Sequence, residues 1–405
     1  MVGAWERDEP RRYALGRGGF KVEVNVAVFE WACRRSGQSK QALVKRFPRL
    51  DEWLRGADQP TLSQLERFAQ ATGVPIGCFF LPEPPRETLP IPDFRTTAGK
   101  RPREPSGNLL DTVYLCQQRQ DWYREYAAAN GEPPVEFVGS ASLNDDVVDV
   151  ARHMRSVLRF DVQERRQLRS WRDAFRRFVE HADAAGVLVM VSGVVGSNTR
   201  RKLDPDEFRG FALSDPLAPL VFVNGADARA AQMFTLAHEL AHLWLGQSSL
   251  SDVRPDTAFA IERWCNAVAA EFLVPREHLP QSLKESELDR AALRRLARDF
   301  KVSTLVILRR LYDAGLLTRD RFRAEYEAEL ARAARTRKDG GGDFYHAVTM
   351  RVGRRFATAL LSAVWEGRAS FSEARRLLSV GSVETLRRLR ESLERDVGEG
   401  PEVGG

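Results

Sequence analysis

The sequence predicts a mostly helical α+β protein with a small antiparallel sheet, and three observations lead to this prediction. Apolar residues recur at helical spacing through most of the chain. Two short apolar runs of strand type lie near the middle, at Val187–Ser192 and Ala218–Asn224. Proline and glycine clusters separate these segments, so the predicted helices are short.

Composition limits the class of protein further. At roughly 100–200 residues per domain, the 405-residue chain is long enough for two to four domains. We expect no membrane segment, because no apolar run approaches the ~20 residues that span a bilayer, and no signal peptide, because the N-terminus is charged. Four scattered cysteines without a CxxC pair favour a cytoplasmic protein. The net charge of +6 permits nucleic-acid contact without requiring it.

Changes in composition divide the chain into five segments. Closely spaced prolines mark a linker, since each proline removes a backbone donor and disfavours helix before it. The glycine-rich stretch Ala334–Asp343 reads as a hinge. The predicted segments are a flexible N-terminal tail (1–19), a helical module (20–81), a proline-rich linker with a connecting helix (82–135), a mixed α and β domain (136–335) and a C-terminal helical domain (336–405).

The mixed domain contains two patterned regions besides its single helices. Phe208–Asp215 and Ala218–Asn224 are separated by Pro216-Leu217, which predicts a β-hairpin. The sequence pattern of Ala292–Leu317 is typical of a helix-turn-helix pair. Because such pairs commonly brace a domain, we assign no function to this one.

The strongest chemical signal is the segment His238–His242, which reads HELAH within an apolar helical run. Positions i and i+4 share one helix face, so His238 and His242 can direct an imidazole nitrogen at one metal ion. Glu239 lies beside them, where it can hydrogen-bond a water on that ion without ligating it. The pattern predicts a Zn²⁺ site with Glu239 as general base.

A catalytic zinc usually has three protein ligands and an open position for water, so a third ligand should follow downstream. The apolar helix Ile261–Pro275 is the best host, because its small residues permit close packing. Glu262 and Glu271 lie on roughly the same face of it, and periodicity leaves both open. Asn266, one turn after Glu262, can orient the carboxylate or a ligating histidine. The downstream candidates for the third ligand are five carboxylates and one imidazole: Asp252, Asp256, Glu262, Glu271, Glu277 and His278.

The segments MFTLAHELAHLWLG and IERWCNAVAAEFLVP together resemble the ImmA/IrrE family of metallopeptidases, whose core is similar to that of thermolysin-like zinc enzymes. In that family an HExxH helix is followed by a helix of the form E-x-x-x-N-x-x-A-A-x-x-x-x-P. Matched to this form, Glu262 takes the place of the third ligand and Asn266 that of the asparagine. The resemblance implies a gluzincin-like zinc endopeptidase whose zinc ion is bound by the two motif histidines and Glu262.

The module at 20–81 resembles an Xre-type helix-turn-helix, with Leu50–Arg55 as the recognition helix. It departs from that pattern at the reading positions, where Asp51 and Glu52 oppose the charge of phosphate. DNA binding and docking to a homologous protein fold therefore both stay open. Basic side chains can still hold a nucleic-acid backbone, and the candidates are Arg34, Arg35, Lys40, Lys45, Arg46, Arg49 and Arg55.

The resemblance also implies a narrow protein substrate, typically a helix-turn-helix repressor whose cleavage derepresses a stress-response or mobile-element operon. Ala218–Asn224 is a candidate edge strand along which a substrate peptide can add to the sheet. A rival hypothesis is a non-catalytic, antitoxin-like regulator that uses the metallopeptidase fold as a sensor or dimerisation platform. A structural zinc site more often has a fourth protein ligand, which argues against it. A zinc hydrolase of non-peptide amides stays open, and the sequence does not determine the oligomeric state.

Overall fold

The computed structural model of the chain describes residues 20–93, 104–251, 259–279, 288–335 and 344–398. The predicted flexible tail (1–19), part of the predicted linker (94–103) and most of the predicted hinge (336–343) lie outside the described residues. The chain divides into two compact units: the first comprises Met1–Thr88 with Ser106–Asn108, and the second comprises Leu89–Pro105 with Leu109–Gly405.

The first unit is all-helical where it is described, in agreement with the helical spacing of its sequence. Side-chain caps begin three of its four α-helices, since Asn25, Ser39 and Thr61 each accept a hydrogen bond from a backbone N–H of the first turn. The rings of Phe29, Trp53 and Phe68 pack within 6.0 Å of one another at its centre. The helices are α1 (Val26–Arg35), α2 (Lys40–Arg46), α3 (Leu50–Leu54) and α4 (Leu62–Thr72), followed by a 3-10 helix at Ile76–Phe80.

The remaining described elements combine thirteen helices with six short strands. The helices are α5 (Gly107–Ala129), α6 (Val147–Leu158), α7 (Val162–Gln167), α8 (Trp171–Ala184), α9 (Arg229–Trp244), α10 (Ala260–Leu273), α11 (Arg290–Asp299), α12 (Thr304–Asp313), α13 (Arg319–Arg335), α14 (Phe344–Val352), α15 (Arg354–Trp365), α16 (Phe371–Leu378) and α17 (Val383–Gly398). The strands are β1 (Leu188–Ser192), β2 (Val194–Val195), β3 (Asn198–Lys202), β4 (Gly210–Leu213), β5 (Leu220–Asn224) and β6 (Ser249–Ser251). No described helix combines the length and apolarity that crossing a bilayer requires.

The main sheet has the strand order β1-β5-β4-β6, which confirms one prediction and corrects two others. The predicted hairpin is confirmed as the antiparallel pair β4–β5. The sheet is mixed rather than antiparallel, because β1 pairs with β5 in parallel. Ala218–Asn224 is not an edge strand: β5 lies between β1 and β4, and all five of its residues are buried. Its continuous apolar run is typical of a central strand, whose backbone groups already have partners on both sides.

The sheet separates two hydrophobic cores of the second unit, because successive side chains of a strand point to opposite faces. Val189 and Val221 belong to the core that α6, α8, α9 and α10 complete. Leu188 and Phe222 belong to the other core, which α5 and the helices α14 to α17 complete. Helix α9 packs on β4 and β5, and α10 packs on α9. The sheet thus supports the helix that carries the HELAH motif.

Candidate metal centre

Helix α9 holds both histidines of the motif in a largely buried environment. His238, Glu239 and His242 have no exposed surface. The apolar residues around them explain this burial, since Leu236 and Leu240 pack into the core beside the sheet. Buried polar side chains are costly unless they have partners. The three polar residues of the motif therefore require polar or metal partners inside the protein.

Helix α10 supplies the partner from the next layer. The Nε2 atom of His238 lies 3.2 Å from Oε2 of Glu262, and Nε2 of His242 lies 3.1 Å from Oε1 of Glu262. The two Nε2 atoms are 3.2 Å apart. Glu262 is also fully buried. Two imidazoles and one carboxylate from two packed helices thus converge on one point.

The spacing of these atoms fits a tetrahedral zinc ion. Zinc binds nitrogen and oxygen at about 2.0–2.2 Å, so two corners of its tetrahedron are about 3.3–3.6 Å apart. The observed separations of 3.1–3.2 Å are close to that value. Within the described ranges, no other three His, Cys, Asp or Glu side chains could hold an ion in this way. The donor set of two imidazoles and a carboxylate is also one that catalytic zinc sites use.

The electrostatics of the group favour the protonation states that bind metal. Burial lowers the pKa of His242, since it disfavours the imidazolium, and the neighbouring His238 adds to this effect. Burial acts to raise the pKa of Glu262, but His238 and His242 outweigh it and hold that pKa below its usual range. A neutral imidazole and an ionised carboxylate are the forms that ligate a metal.

Glu239 lies against Gly210 of strand β4, a position that has no room for a larger residue. A Cβ atom at Gly210 would lie 2.6 Å from Cγ2 of Thr235, 2.8 Å from the carbonyl oxygen of Phe222 and 2.9 Å from Oε1 of Glu239. Real Cβ atoms essentially never make contacts this close, so any side chain at position 210 would displace Thr235, the carboxylate of Glu239 or the strand. Gly210 is a residue that the sequence analysis missed, because nothing in the local pattern links it to α9.

Asn266 lies on α10 one turn after Glu262 and is 3% exposed. It lines a small cavity of about 40 Å³, together with Phe234, which precedes His238 by one turn of α9, and Arg209, which precedes Gly210. The orienting role of Asn266 stays a prediction.

The rival third ligands lie elsewhere. Glu271 forms an ion pair with Arg310 and accepts a hydrogen bond of 3.3 Å from the backbone N–H of Arg276. Nine residues of helix separate it from Glu262, which is about 13.5 Å along the axis. His278 forms a 3.8 Å ion pair with Glu277 on the 3-10 helix Arg276–His278. Two further candidates lie outside the described residues: Asp252 and Asp256.

Cys265 is buried on α10 near the metal group but does not belong to it. Burial raises the pKa of its thiol well above the usual value, and the carboxylates of Glu262 and Glu239 add to the shift. A thiol must lose its proton to ligate zinc. Cys265 is therefore a small apolar filler of this helix interface.

The basic residues predicted to contact nucleic acid lie in the first unit, and several have acidic neighbours. Lys40 pairs with Asp51 at 2.8 Å. Arg49 pairs with Glu52 at 3.2 Å and with Asp58 at 3.1 Å. The largely buried Arg35 pairs with Glu87 at 2.8 Å, so it is a structural residue of the unit. The other four are exposed: Arg34, Lys45, Arg46 and Arg55.

Comparison with known families identifies two regions of the chain. Residues 182–312 match the model of the IrrE N-terminal-like domain, Peptidase_M78. Residues 352–392 match the model of a domain of unknown function, DUF8813. No curated protein and no solved structure matches the chain. The first match spans α9 and α10, so the region that holds His238, His242 and Glu262 is similar to a metallopeptidase-like domain of the ImmA/IrrE type.

Proposed function

We propose that the chain is a zinc-dependent endopeptidase of the gluzincin type, with a core related to that of thermolysin-like enzymes. The observation that carries this proposal is the convergence of His238, His242 and Glu262 with separations of 3.1–3.2 Å. The match of residues 182–312 to a peptidase domain supports the choice of a peptide bond over another amide. We place the activity in the cytoplasm, as the sparse cysteines of the sequence suggest.

The three ligands and Glu239 divide the chemistry among them. When bound, zinc would acidify a water molecule and polarise the scissile carbonyl. Glu239 would accept a proton from the attacking water and donate it to the departing amine. Its burial against Gly210 keeps bulk solvent from the carboxylate and fixes its position beside the ligands. The neutral His242 and the ionised Glu262 are ready to hold the ion without first releasing a proton.

The substrate that we propose is a specific regulatory protein, such as a helix-turn-helix repressor, whose cleavage would derepress a stress-response or mobile-element operon. The all-helical first unit supports this choice, because a small helical module can dock with a helical protein or with DNA. In this proposal the module selects the substrate, and the second unit cuts it.

A cleavage assay tests the proposal. The purified full chain, loaded with zinc, is incubated with the helix-turn-helix repressor encoded beside its gene, and the products are identified by mass spectrometry. We expect one defined cut with the wild type and none with Glu239→Gln. An intact repressor after prolonged incubation with a zinc-loaded chain would contradict this choice of substrate, and cleavage by the variant at the wild-type rate would contradict the role of Glu239.

A further inference from the structure

A groove lined by arginines follows helix α11 in the second unit. It has a volume of about 730 Å³. We call it the α11 groove, and its polar lining consists of Arg290, Arg294, Arg295, Arg298, Thr304 and Glu329. None of these lining residues belongs to the metal group. Its size is sufficient for several side chains of a bound chain.

The groove carries positive charge that the described part of the protein does not neutralise. Arg290, Arg294 and Arg298 recur at every fourth position, so they form a ridge on one helix face with steps of about 6 Å. Arg294, Arg295 and Arg298 are exposed and form no ion pair with any described residue. Two acids lie at the ends of α11. Asp289 caps its first turn by accepting from the backbone N–H of Ala292, and the exposed Asp299 ends it.

The one carboxylate within the groove shows which ligand its walls can hold. Glu329 accepts a hydrogen bond of 2.9 Å from the hydroxyl of Thr304. It also pairs with Arg332 and, at 3.7 Å, with Arg290. Only 12% of its side chain is exposed. A hydroxyl and two guanidinium groups thus already bind a carboxylate at one side of the groove, beside three arginines that form no ion pair within the described part of the chain.

The position of the groove relates it to the metal centre. Thr304, the first residue of α12, lines the groove, whereas Leu305 and Val306 line the small cavity beside the metal group. That cavity is also lined by Phe234 and Asn266, each one turn from a metal-binding residue. The first turn of α12 therefore separates the groove from the cavity.

We propose that the α11 groove binds an acidic stretch of the polypeptide substrate, outside the bond that is cut. The inference rests on the proposed peptidase function and adds the chemical class of the substrate. Two observations favour a polypeptide over a nucleic acid: Thr304 and Arg290 of the groove already bind the carboxylate of Glu329, and adjacent residues of α12 line the groove and the small cavity. Guanidinium groups bind carboxylates through paired hydrogen bonds, which suits the arginines of this groove.

A binding experiment tests the inference on the full chain carrying Glu239→Gln, so that the probe is not cut. The probes are a fluorescein-labelled peptide of alternating Glu and Ser, the matched peptide with Gln in place of Glu, and a labelled thymidine oligonucleotide. Fluorescence anisotropy should show that the Glu peptide binds at least about tenfold more tightly than the Gln peptide. Raising the salt concentration should weaken this binding, since exposed charges are screened.

Variants locate the binding surface. The pair Arg294→Gln and Arg298→Gln should weaken binding of the Glu peptide about tenfold. The control pair Arg67→Gln and Arg387→Gln removes the same charge from exposed arginines outside the groove and should leave binding unchanged. Equal losses from both pairs would show a general charge effect and overturn the inference. Tighter binding of the oligonucleotide than of the Glu peptide, lost in the groove variants, would make the groove a nucleic-acid surface instead.

The same preparations separate this inference from the proposed function. Repressor cleavage by the wild type, together with no preference for the Glu peptide, would retain the peptidase and overturn the groove. Preference for the Glu peptide, lost in the groove variants, in a wild-type chain that cuts no protein would support the groove as a surface for acidic peptides and contradict the peptidase.

Discussion

The helix pair α2–α3 of the first unit and the pair α11–α12 of the second both carry basic side chains, and in each pair some of these charges face carboxylates while others have no carboxylate partner among the described residues. Lys40 and Arg49 lie 2.8–3.2 Å from carboxylates of their own unit. Arg294 and Arg298 form no ion pair with the residues that the structure describes. Net charge therefore does not locate an anion-binding surface, because nearby carboxylates decide which basic side chains are available to bind an anion.

The two units also differ in chemistry. The three side chains of the metal group and the glutamate beside them belong to the second unit, on helices that pack against each other and against the sheet. The first unit has an aromatic core and surface ion pairs. Catalysis should therefore depend on a few buried residues of the second unit, whereas changes at the surface of the first unit should have smaller effects.

The largest expected effect is that of Glu239→Gln. Loss of a positioned general base lowers the rate about 10²–10⁴-fold, and Gln is nearly isosteric with Glu. Zinc should stay bound, because Glu239 is not among the three converging residues. Cleavage is measured on samples matched for zinc content. The control is Glu277→Gln, which alters a largely exposed glutamate of the same unit and should cut at the wild-type rate.

The two buried glutamates of α10 should behave differently. Glu262→Gln should lower zinc affinity at least about 100-fold, because it removes a ligand. Glu271→Gln should keep zinc but lower the free energy of unfolding by about 3–5 kcal/mol, since it leaves the buried Arg310 without its carboxylate. Zinc competition with a chelator and thermal denaturation measure the two effects. The ligand assignment fails if Glu271→Gln empties the site while Glu262→Gln leaves it full.

Gly210→Ala tests the contact between strand β4 and Glu239, the proposed general base. The added methyl group would lie 2.6 Å from Cγ2 of Thr235 and 2.9 Å from Oε1 of Glu239, so we expect α9 and this carboxylate to move and cleavage to fall about 10–100-fold. Zinc should stay bound. Gly77→Ala is the matched control in the first unit, because a Cβ there has no neighbour within 4 Å. Unchanged cleavage by Gly210→Ala would show that the carboxylate tolerates displacement.

The smallest effects should come from the first unit. If it binds duplex DNA, binding should be weak, tolerant of sequence and steeply dependent on salt, because phosphate contacts supply nearly all of it. Lys45→Gln with Arg46→Gln should then lower the slope of log K against log salt by about two, at about 0.9 per phosphate contact. Anisotropy at two salt concentrations measures this slope. Tight, salt-insensitive binding to one operator would show that Asp51 and Glu52 do not face the groove of the DNA.

Deletion of residues 1–85 tests the module as a substrate selector. The three proposed zinc ligands all lie beyond this segment, so zinc binding should persist. Cleavage of the regulatory protein should become slower, while cleavage of a short peptide containing the cut site should not. Equal rates for the full and truncated chains on the intact protein would show that the module has no part in recognition.

The elements that the sequence predicted best are those defined by local spacing. The two histidines of α9 are four residues apart, and helical geometry alone places them on one face. The hairpin β4–β5 follows from two apolar runs and the turn between them. The sequence left Glu262 and Glu271 open, because both lie on one helix and the pairing of Glu271 involves Arg310, 39 residues away.

The features that sequence reasoning missed depend on contacts between distant segments. Strand β5 is central because β1, which precedes β2 to β4 in the chain, pairs with its second edge. Gly210 matters because α9 places Glu239 against it. The ion pair of Arg49 with Asp58 also depends on the folded chain, as does the lack of an ion pair between Arg298 and any described residue. A pattern of residue types shows which side chains are charged, but only the fold shows which charges are already paired.

X-ray absorption at the zinc edge of the purified full chain tests the central claim most directly. The arrangement of His238, His242 and Glu262 predicts a first coordination sphere of nitrogen and oxygen atoms only, at about 2.0–2.2 Å, with an open position for water. The number of imidazole ligands should fall from two to one in His242→Ala. A sulfur atom at about 2.3 Å would place Cys265 on the metal and contradict the account.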